Sequence, residues 1–257
     1  MAIKGSTAAV LLALAGFVTG APCAARDMRD LEAFPGDMAR GAWEEIHPEG
    51  LLTLAVAGAG ASITRYGNTA YVDDYRTAAT LKRKRPLGVG VTDFGAVIGY
   101  PVYLMGAMGV TYLGSYAGDA RGGQEFGLLG FEALALSGIE VEILKSTVPR
   151  LRPDSTVDRT DPAAFPSGHT AASFSLATVA ASKWGWRVGA PAYVAAGFVG
   201  YSRMEGGKHY LSDVLFGAGL GIACGRAVFK VRRREKPAQY AITPFLTPGG
   251  AGVEVYF

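Results

Sequence analysis

The sequence predicts an all-α protein built as a bundle of six helices. Apolar blocks recur along the chain, most of them longer than an ordinary strand, and their Ala, Leu and Gly content lacks the strict alternation of a half-buried strand. Short polar links between the blocks favour neighbouring helices that pack side by side. The six blocks comprise residues 51–63, 94–118, 127–144, 170–182, 188–201 and 211–229.

The composition excludes some classes of function. At 257 residues the chain is long enough for a large core. With 49% hydrophobic and 18% charged residues it is more hydrophobic than an ordinary soluble domain. Thirty-six glycines indicate helices in close contact through small residues. A net charge of +3, with no nucleic-acid-binding motif, gives no reason to expect a nucleic-acid partner.

Residues 1–25 have the pattern of an export signal. Lys4 precedes the apolar run "AAVLLALAGFV", and "TGAPCAARDM" offers small residues for cleavage after Cys23 or Ala25. The alternative is an uncleaved signal anchor. Either way the signal predicts a place in a bacterial cell envelope. Once it is removed, Cys224 is the only cysteine left, so no intrachain disulfide is expected.

The ends of the chain differ from the helical domain predicted over 51–229. Residues 26–50 form a polar segment with no long periodic run, and 230–257 begin as a basic linker. In the tail, "TPGG" is typical of a turn and Val253, Val255 and Phe257 alternate as in a strand. We therefore expect a short β-hairpin there.

The sequence leaves the membrane topology open. Only block 94–118 is long and uncharged enough to cross a bilayer by itself, and block 127–144 carries three glutamates. The basic runs "KRKR" and "KVRRREK" would fall on opposite sides if the blocks crossed alternately. A membrane-apposed bundle and a membrane-spanning one both fit.

The first of three polar clusters is "KSTVPRLRP", in which Lys145 ends a helical block. Prolines stop the helix and place Arg150 and Arg152 on an irregular segment. Taken alone, these cations could simply complement the dipole at a helix C-terminus.

The second cluster, "FPSGHT", precedes an apolar helical block. Ser167 and Gly168 lie at the predicted helix start, where backbone N–H groups lack intrahelical partners and bind anions. His169 then lies in the first turn. The alternative is an ordinary cap beside a surface histidine.

The third cluster is "SRMEGGKHYLSD". On a helix, Asp213 would share a face with His209 and accept a hydrogen bond from one ring nitrogen, leaving the other nitrogen free to react. The Gly206-Gly207 turn would let Arg203 fold back towards the histidine. A purely structural His–Asp pair is the alternative. Jointly, the three clusters supply the cations, N–H groups and imidazoles that a phosphoryl group requires.

These clusters resemble the signature of the type-2 phosphatidic acid phosphatase and vanadium haloperoxidase superfamily. The family's pattern is Lys-x6-Arg-Pro, then Pro-Ser-Gly-His, then Ser-Arg-x5-His-x3-Asp. Every position is present in that order over residues 145–213, as Lys145 to Arg152-Pro153, Pro166 to His169, and Ser202-Arg203 through His209 to Asp213. The resemblance implies the helical bundle of that family.

The resemblance also implies a metal-independent mechanism through a phosphohistidine, with no cofactor. His209 would attack phosphorus, Asp213 would orient His209, and His169 would protonate the leaving group. Arg150 lies outside the pattern, and we expect it to be a charge at the rim. Five residues would hold the phosphate oxygens: Lys145, Arg152, Ser167, Gly168 and Arg203.

The predicted function is hydrolysis of a lipid phosphate or pyrophosphate, such as phosphatidate, a polyprenyl pyrophosphate or lipid A, at the periplasmic side of the inner membrane. A soluble periplasmic acid phosphatase acting on small phosphomonoesters is the first alternative. A vanadate-dependent haloperoxidase and a non-catalytic membrane module are the others.

Overall fold

The computed structural model describes residues 29–66, 74–154, 163–235, 241–247 and 250–256. The predicted export signal lies outside them. The chain divides into two compact units, Met1–Pro35 and Gly36–Phe257. Of the first unit only residues 29–35 are described, and they belong to the first helix.

The described residues form nine α-helices and one pair of strands, so the all-α class is confirmed. Strands β1 (Ala241–Thr247) and β2 (Gly250–Tyr256) pair antiparallel in the tail, where the sequence predicts a hairpin. The helices are α1 (Arg29–Glu45), α2 (Pro48–Tyr66), α3 (Asp74–Lys84), α4 (Val89–Ile98), α5 (Pro101–Ala117), α6 (Arg121–Thr147), α7 (Gly168–Trp184), α8 (Trp186–Glu205) and α9 (Leu211–Glu235).

The single helix predicted over 94–118 is wrong. Helices α4 and α5 meet there at a bend of 50°. Pro101 occupies the first position of α5, and Tyr100 before it is extended at φ −69° and ψ 119°. A residue that precedes proline avoids the helical conformation, so the break follows from the Tyr-Pro pair.

Charge pairing explains two further helical stretches that the sequence did not predict. The polar N-terminal segment forms α1, and α9 continues through the first part of the basic linker. Lys230 lies 3.1 Å from Glu44, and Arg232 lies 2.9 Å from Asp37 and 2.8 Å from Glu132. These ion pairs add to the apolar contacts of Val228 in holding this end of α9 against α1 and α6.

The core lies between α6, α7 and α9, which share one cluster of buried apolar side chains. A row of glycines on α9, namely Gly217, Gly221 and Gly225, faces α7. A Cβ on Gly217 would lie 2.7 Å from the carbonyl oxygen of Ser167, and one on Gly225 would lie 2.6 Å from that of Ser175. Only glycine allows the two backbones to approach so closely, which fixes the start of α7 against α9.

By length and composition, one described helix could cross a membrane: α9, over Leu211–Arg234. Most of it is buried against other helices, as the core helix of a soluble protein would be. The bent pair of α4 and α5 meets the same criterion when counted as one span.

Candidate active site

His209 is almost fully buried, at 3% exposure, and lies two residues before the start of α9. Its Nδ1 lies 2.7 Å from the carbonyl oxygen of Ala164. A carbonyl oxygen only accepts, so Nδ1 carries the proton and Nε2 of the neutral ring keeps its lone pair. Burial lowers the pKa of His209, and the nearby Asp213 carboxylate opposes that shift.

The predicted hydrogen bond between His209 and Asp213 is wrong in detail. His209 lies outside the helix, so the two side chains do not share a helical face, and Asp213 Oδ2 is 3.8 Å from Nδ1. The carbonyl of Ala164 sets the tautomer instead. Asp213 acts on the ring through its charge, which favours a positively charged imidazole.

Both oxygens of the Asp213 carboxylate have other partners. Oδ2 accepts the backbone N–H of Tyr210 at 2.8 Å, as an acidic side chain at the third position of a helix does in a capping box. Oδ1 accepts a hydrogen bond from Nη1 of Arg150 at 2.5 Å. The carboxylate is therefore held rigidly beside His209 and paired with a cation.

The expectation that Arg150 is a rim charge is wrong. The residue is only 6% exposed, because its guanidinium lies between two buried carboxylates, those of Asp213 and Asp74. Nη2 is 2.9 Å from Asp74 Oδ2, and the guanidinium stacks 4.0 Å above the Tyr210 ring. Asp74 also accepts the backbone N–H of Ser212 at 2.9 Å. Arg150 thus ties α3 and the start of α9 together behind His209.

The N-terminus of α7 faces the same site and has no side-chain cap. The Ser167 hydroxyl accepts a hydrogen bond from Thr170 at 2.9 Å, and the Ser167 N–H donates to the backbone carbonyl of Asp213 at 3.1 Å. A Cβ on Gly168 would lie 3.8 Å from Lys145 Nζ. The first N–H groups of α7 and the Lys145 ammonium therefore converge, which is the equipment of an anion site.

His169, in the first turn of α7, is surrounded by positive charge. Its pKa is lowered to about 3, first by burial and then by four basic groups: Arg203, His209, Lys145 and Arg152. The Tyr100 ring lies 5.5 Å from the His169 ring in an edge contact, so the break between α4 and α5 supplies a wall of the site. In the empty site, burial and these positive charges disfavour a proton on His169.

Arg203, at the end of α8, carries one of these charges. Its Nε is buried and has no hydrogen-bond partner among the described side chains and backbone. Burial lowers the pKa of Arg203, and the charge of Arg152 lowers it further, against the opposing pull of Asp154 and Asp93. Repulsion between the two arginines would be relieved by an anion placed between them.

A cavity of about 290 Å³ adjoins Arg203 on the side of α3 and α4. Basic side chains outnumber acidic ones in its lining, and an ion pair between Lys208 and Asp154 closes part of its wall. The charged residues that line it are Lys82, Arg85, Asp93, Asp154, Arg203 and Lys208.

The structure therefore gathers the eight residues singled out from the sequence, and their chemical roles stay predictions. Three features were missed: the carbonyl of Ala164, the Asp74–Arg150 pair, and Tyr100. Only Tyr100 left a local signal, because it directly precedes a proline. The eight gathered residues are Lys145, Arg152, Ser167, Gly168, His169, Arg203, His209 and Asp213.

Three known proteins and one family model are similar to parts of this chain. Residues 127–237 match the family model of the PAP2 superfamily. The crystal structure of Aquifex aeolicus LpxE superimposes with a TM-score of 0.52 and 24% identity, over 63% of this chain and 97% of that one. A transmembrane PAP2 type phosphatidylglycerolphosphate phosphatase from Bacillus subtilis gives a TM-score of 0.41 and 22% identity, over 80% of this chain and 97% of that one.

A curated relative matches a shorter stretch. The lipid A 1-phosphatase of Porphyromonas gingivalis is 40% identical over 95 residues, which is 36% of this chain. The match spans only 20% of that relative's length. The resemblance drawn from the three motifs is confirmed: residues 127–237 match the PAP2 superfamily model.

Proposed function

We propose that the protein is a PAP2-type phosphatase, a phosphoric monoester hydrolase, that removes phosphate from a lipid phosphate or pyrophosphate. The observation that carries this proposal is the group of cations gathered around His169, whose pKa is lowered to about 3, first by burial and then by these charges. A site so charged when empty is suited to a phosphate dianion. The uncapped N-terminus of α7 adds N–H groups for the same ligand.

The mechanism we infer begins at Nε2 of His209, the nitrogen that the Ala164 contact leaves unprotonated. Its lone pair forms the N–P bond while the bond from phosphorus to the leaving oxygen breaks in line. His169 gives its proton to that oxygen. Water then attacks the phosphohistidine, gives a proton back to His169, and releases phosphate with His209 restored.

Substrate binding would prepare both histidines. The negative charges of a phosphate counteract the cations around His169, so its pKa rises and the ring can carry the proton that the leaving group needs. The Asp213 carboxylate, 3.8 Å from Nδ1, stabilises the positive charge that His209 gains on phosphorylation. Arg150 keeps that carboxylate in place.

Two features support a lipid substrate at a membrane. The predicted export signal is the reason to place that membrane in the cell envelope, with the site facing the periplasm. Large apolar side chains are exposed on several helices, including Val56 and Ile63 on α2, Val110 on α5 and Val194 on α8. Such surfaces suit contact with lipid. The basic cavity beside Arg203 would accept a second anionic group of a lipid headgroup. The curated relative is named for lipid A, and lipid A is one candidate here.

The test is phosphate release by the purified full chain in EDTA. The substrates are lipid A, phosphatidate, a polyprenyl pyrophosphate and one soluble phosphomonoester. We expect lipid turnover in wild type, a loss of at least about 10³-fold in His209→Ala, and unchanged turnover in His47→Ala. His47 is the matched control because it is the one histidine outside the motifs.

Single-turnover labelling should trap an acid-labile phosphoryl group in the wild-type chain and none in His209→Ala. Equal turnover of all four substrates would favour the soluble acid phosphatase. Full activity in His209→Ala would refute the phosphohistidine. Halide oxidation by peroxide with added vanadate, in place of hydrolysis, would indicate the haloperoxidase.

A further inference from the structure

A second polar cluster lies inside the bundle, apart from the catalytic residues. Glu45 at the end of α1, Glu140 on α6 and Cys224 on α9 each offer one metal-binding atom, and these three atoms lie within 4.8 Å of one another. Cys224 is fully buried, and its thiol donates to Glu140 Oε2 at 3.4 Å. Three helices distant in sequence therefore contribute to one point.

One member of this cluster has an unsatisfied atom. Glu45 is only 4% exposed, yet its Oε1 has no hydrogen-bond partner in the part of the chain that the structure describes. A buried carboxylate without a partner is unfavourable unless it is protonated or finds a cation. Burial, followed by the charge of Glu140, raises the pKa of Glu45 to about 9, so the empty cluster holds its carboxyl protonated at neutral pH.

One basic side chain on the same helix as Cys224 is already paired with other carboxylates. Lys230, one turn or more beyond Cys224 on α9, lies 3.1 Å from Glu44 and 3.7 Å from Glu49. Between α1, α2 and α9 there is a cavity of about 30 Å³, lined by Glu45 among others. That volume suits a single water molecule. The cavity therefore leaves room for one water beside Glu45.

We propose that Glu45, Glu140 and Cys224 bind one thiophilic divalent cation, of which Zn²⁺ is the best match. Carboxylates alone would suit Mg²⁺ or Ca²⁺, but a thiolate in the donor set selects a softer metal. Three protein ligands and one water complete a tetrahedral zinc site. On binding, the Cys224 thiol and the Glu45 carboxyl each lose their proton to solvent, and the metal replaces both.

The proposed ion ties helices together and takes no part in phosphate chemistry. Cys224 lies about 16 Å along α9 from Asp213, at 1.5 Å per residue. Phosphate release in EDTA and stabilisation by zinc can therefore both hold for the same protein. The proposal is independent of the proposed function, since its readouts are spectroscopic and thermal.

The first experiment uses Co²⁺ as a spectroscopic substitute for Zn²⁺. The full chain carries Cys23→Ser, so that Cys224 is its one thiol, and is freed of any affinity tag and stripped with EDTA. We expect one equivalent of Co²⁺ to give a near-ultraviolet thiolate-to-cobalt band, and Zn²⁺ to displace it. Zn²⁺ should also raise the unfolding temperature.

Two variants and one control locate the site. Cys224→Ser should lose the thiolate band, and Glu45→Gln should bind Zn²⁺ at least about tenfold more weakly. Glu49→Gln is the matched control, because Glu49 lines the same cavity but is 85% exposed, and it should behave as wild type. Circular dichroism checks that each variant is folded.

The absence of a thiolate band in the Cys23→Ser chain would overturn the proposal without any further variant. Binding that persists unchanged in Cys224→Ser and Glu45→Gln would place the ion elsewhere and overturn it equally. If either variant fails to fold, Glu140→Gln takes its place. Loss of phosphatase activity with an intact cobalt band would count against the proposed function alone.

Discussion

At the start of α9, the buried carboxylates of Asp74 and Asp213 share the guanidinium of Arg150, whereas farther along the same helix Glu45 and Glu140 meet a thiol. Both clusters lie inside one bundle and both contain two acids. In the first, a fixed cation lies between the two carboxylates and pairs with both. In the second, protons or a bound metal must neutralise them.

The difference shows how burial can have opposite consequences for a carboxylate. Where an arginine is built into the fold, its guanidinium pairs with the acid, and the pair holds a carboxylate in place beside His209. Where none is built in, the carboxyl keeps its proton, as the raised pKa of Glu45 indicates. The first arrangement suits catalysis, and the second suits a site that exchanges protons for a metal.

The largest effect should come from removing the cation of the first cluster. Arg150→Met leaves two carboxylates buried without their partner, so we expect a loss of about 3–5 kcal/mol in the free energy of unfolding, together with most of the activity. Urea denaturation measures the stability. Arg187→Met is the control, since Arg187 is exposed and its replacement should change stability by less than about 0.5 kcal/mol.

A small effect in Arg150→Met would contradict this contrast between the two clusters. It would mean that water can solvate Asp74 and Asp213 well enough to replace the arginine. Activity separates the two roles of the arginine. If Arg150→Lys retains stability but loses turnover, the bidentate shape of the guanidinium is needed to position Asp213. If both are retained, the charge alone is sufficient.

The pH dependence of stability should differ in sign between His169, in the candidate active site, and the Glu45 cluster. In the folded state the pKa of His169 is about 3, against 6.5 for the free side chain, so the unfolded chain binds more protons between those values. Stability therefore falls as the pH drops from 6.5 towards 3, by about 1 kcal/mol per pH unit. His169→Gln should reduce that slope, measured by urea denaturation from pH 7 to pH 5 without phosphate.

The second cluster should give the opposite dependence at higher pH. The pKa of Glu45 is raised from 4.5 to about 9, so the folded chain binds more protons in that window. In EDTA, stability should fall as the pH rises from 4.5 towards 9, again by about 1 kcal/mol per unit. Glu45→Gln should remove this slope and Glu49→Gln should keep it. An identical pH profile in both variants would show that the Glu45 carboxyl is not held protonated.

The sequence predicted the residues that gather at the candidate site better than the groups that support them. Lys145, His169 and His209 stand in short motifs whose spacing can be compared directly with a family pattern. The Arg150–Asp74 pair joins residues 76 positions apart, and nothing local distinguishes it from surface charge. Tertiary contact alone makes it visible.

Helix boundaries failed for two different physical reasons. The break before Pro101 had a signal, the Tyr-Pro pair, which the length of the apolar block outweighed. Helix α1 had almost no signal in the sequence, because its buried face carries acids such as Asp37 and Glu44 that pair with the end of α9. Apolar periodicity cannot reveal a face that is buried through ion pairs.

The smallest effect should come from the lysines that line the cavity beside Arg203, where they could contact a second anionic group of the substrate. Replacing Lys82 and Lys208 together by Ala should raise KM about twofold to fivefold for a lipid with two phosphates, since exposed charge pairs are weak. KM for a soluble phosphomonoester should not change, because that substrate does not reach the cavity. Lys84→Ala is the matched control, on the same helix but outside the lining. Equal increases for both substrates would mean that the cavity lysines only attract anions at long range, and the salt dependence of KM would then account for the whole effect.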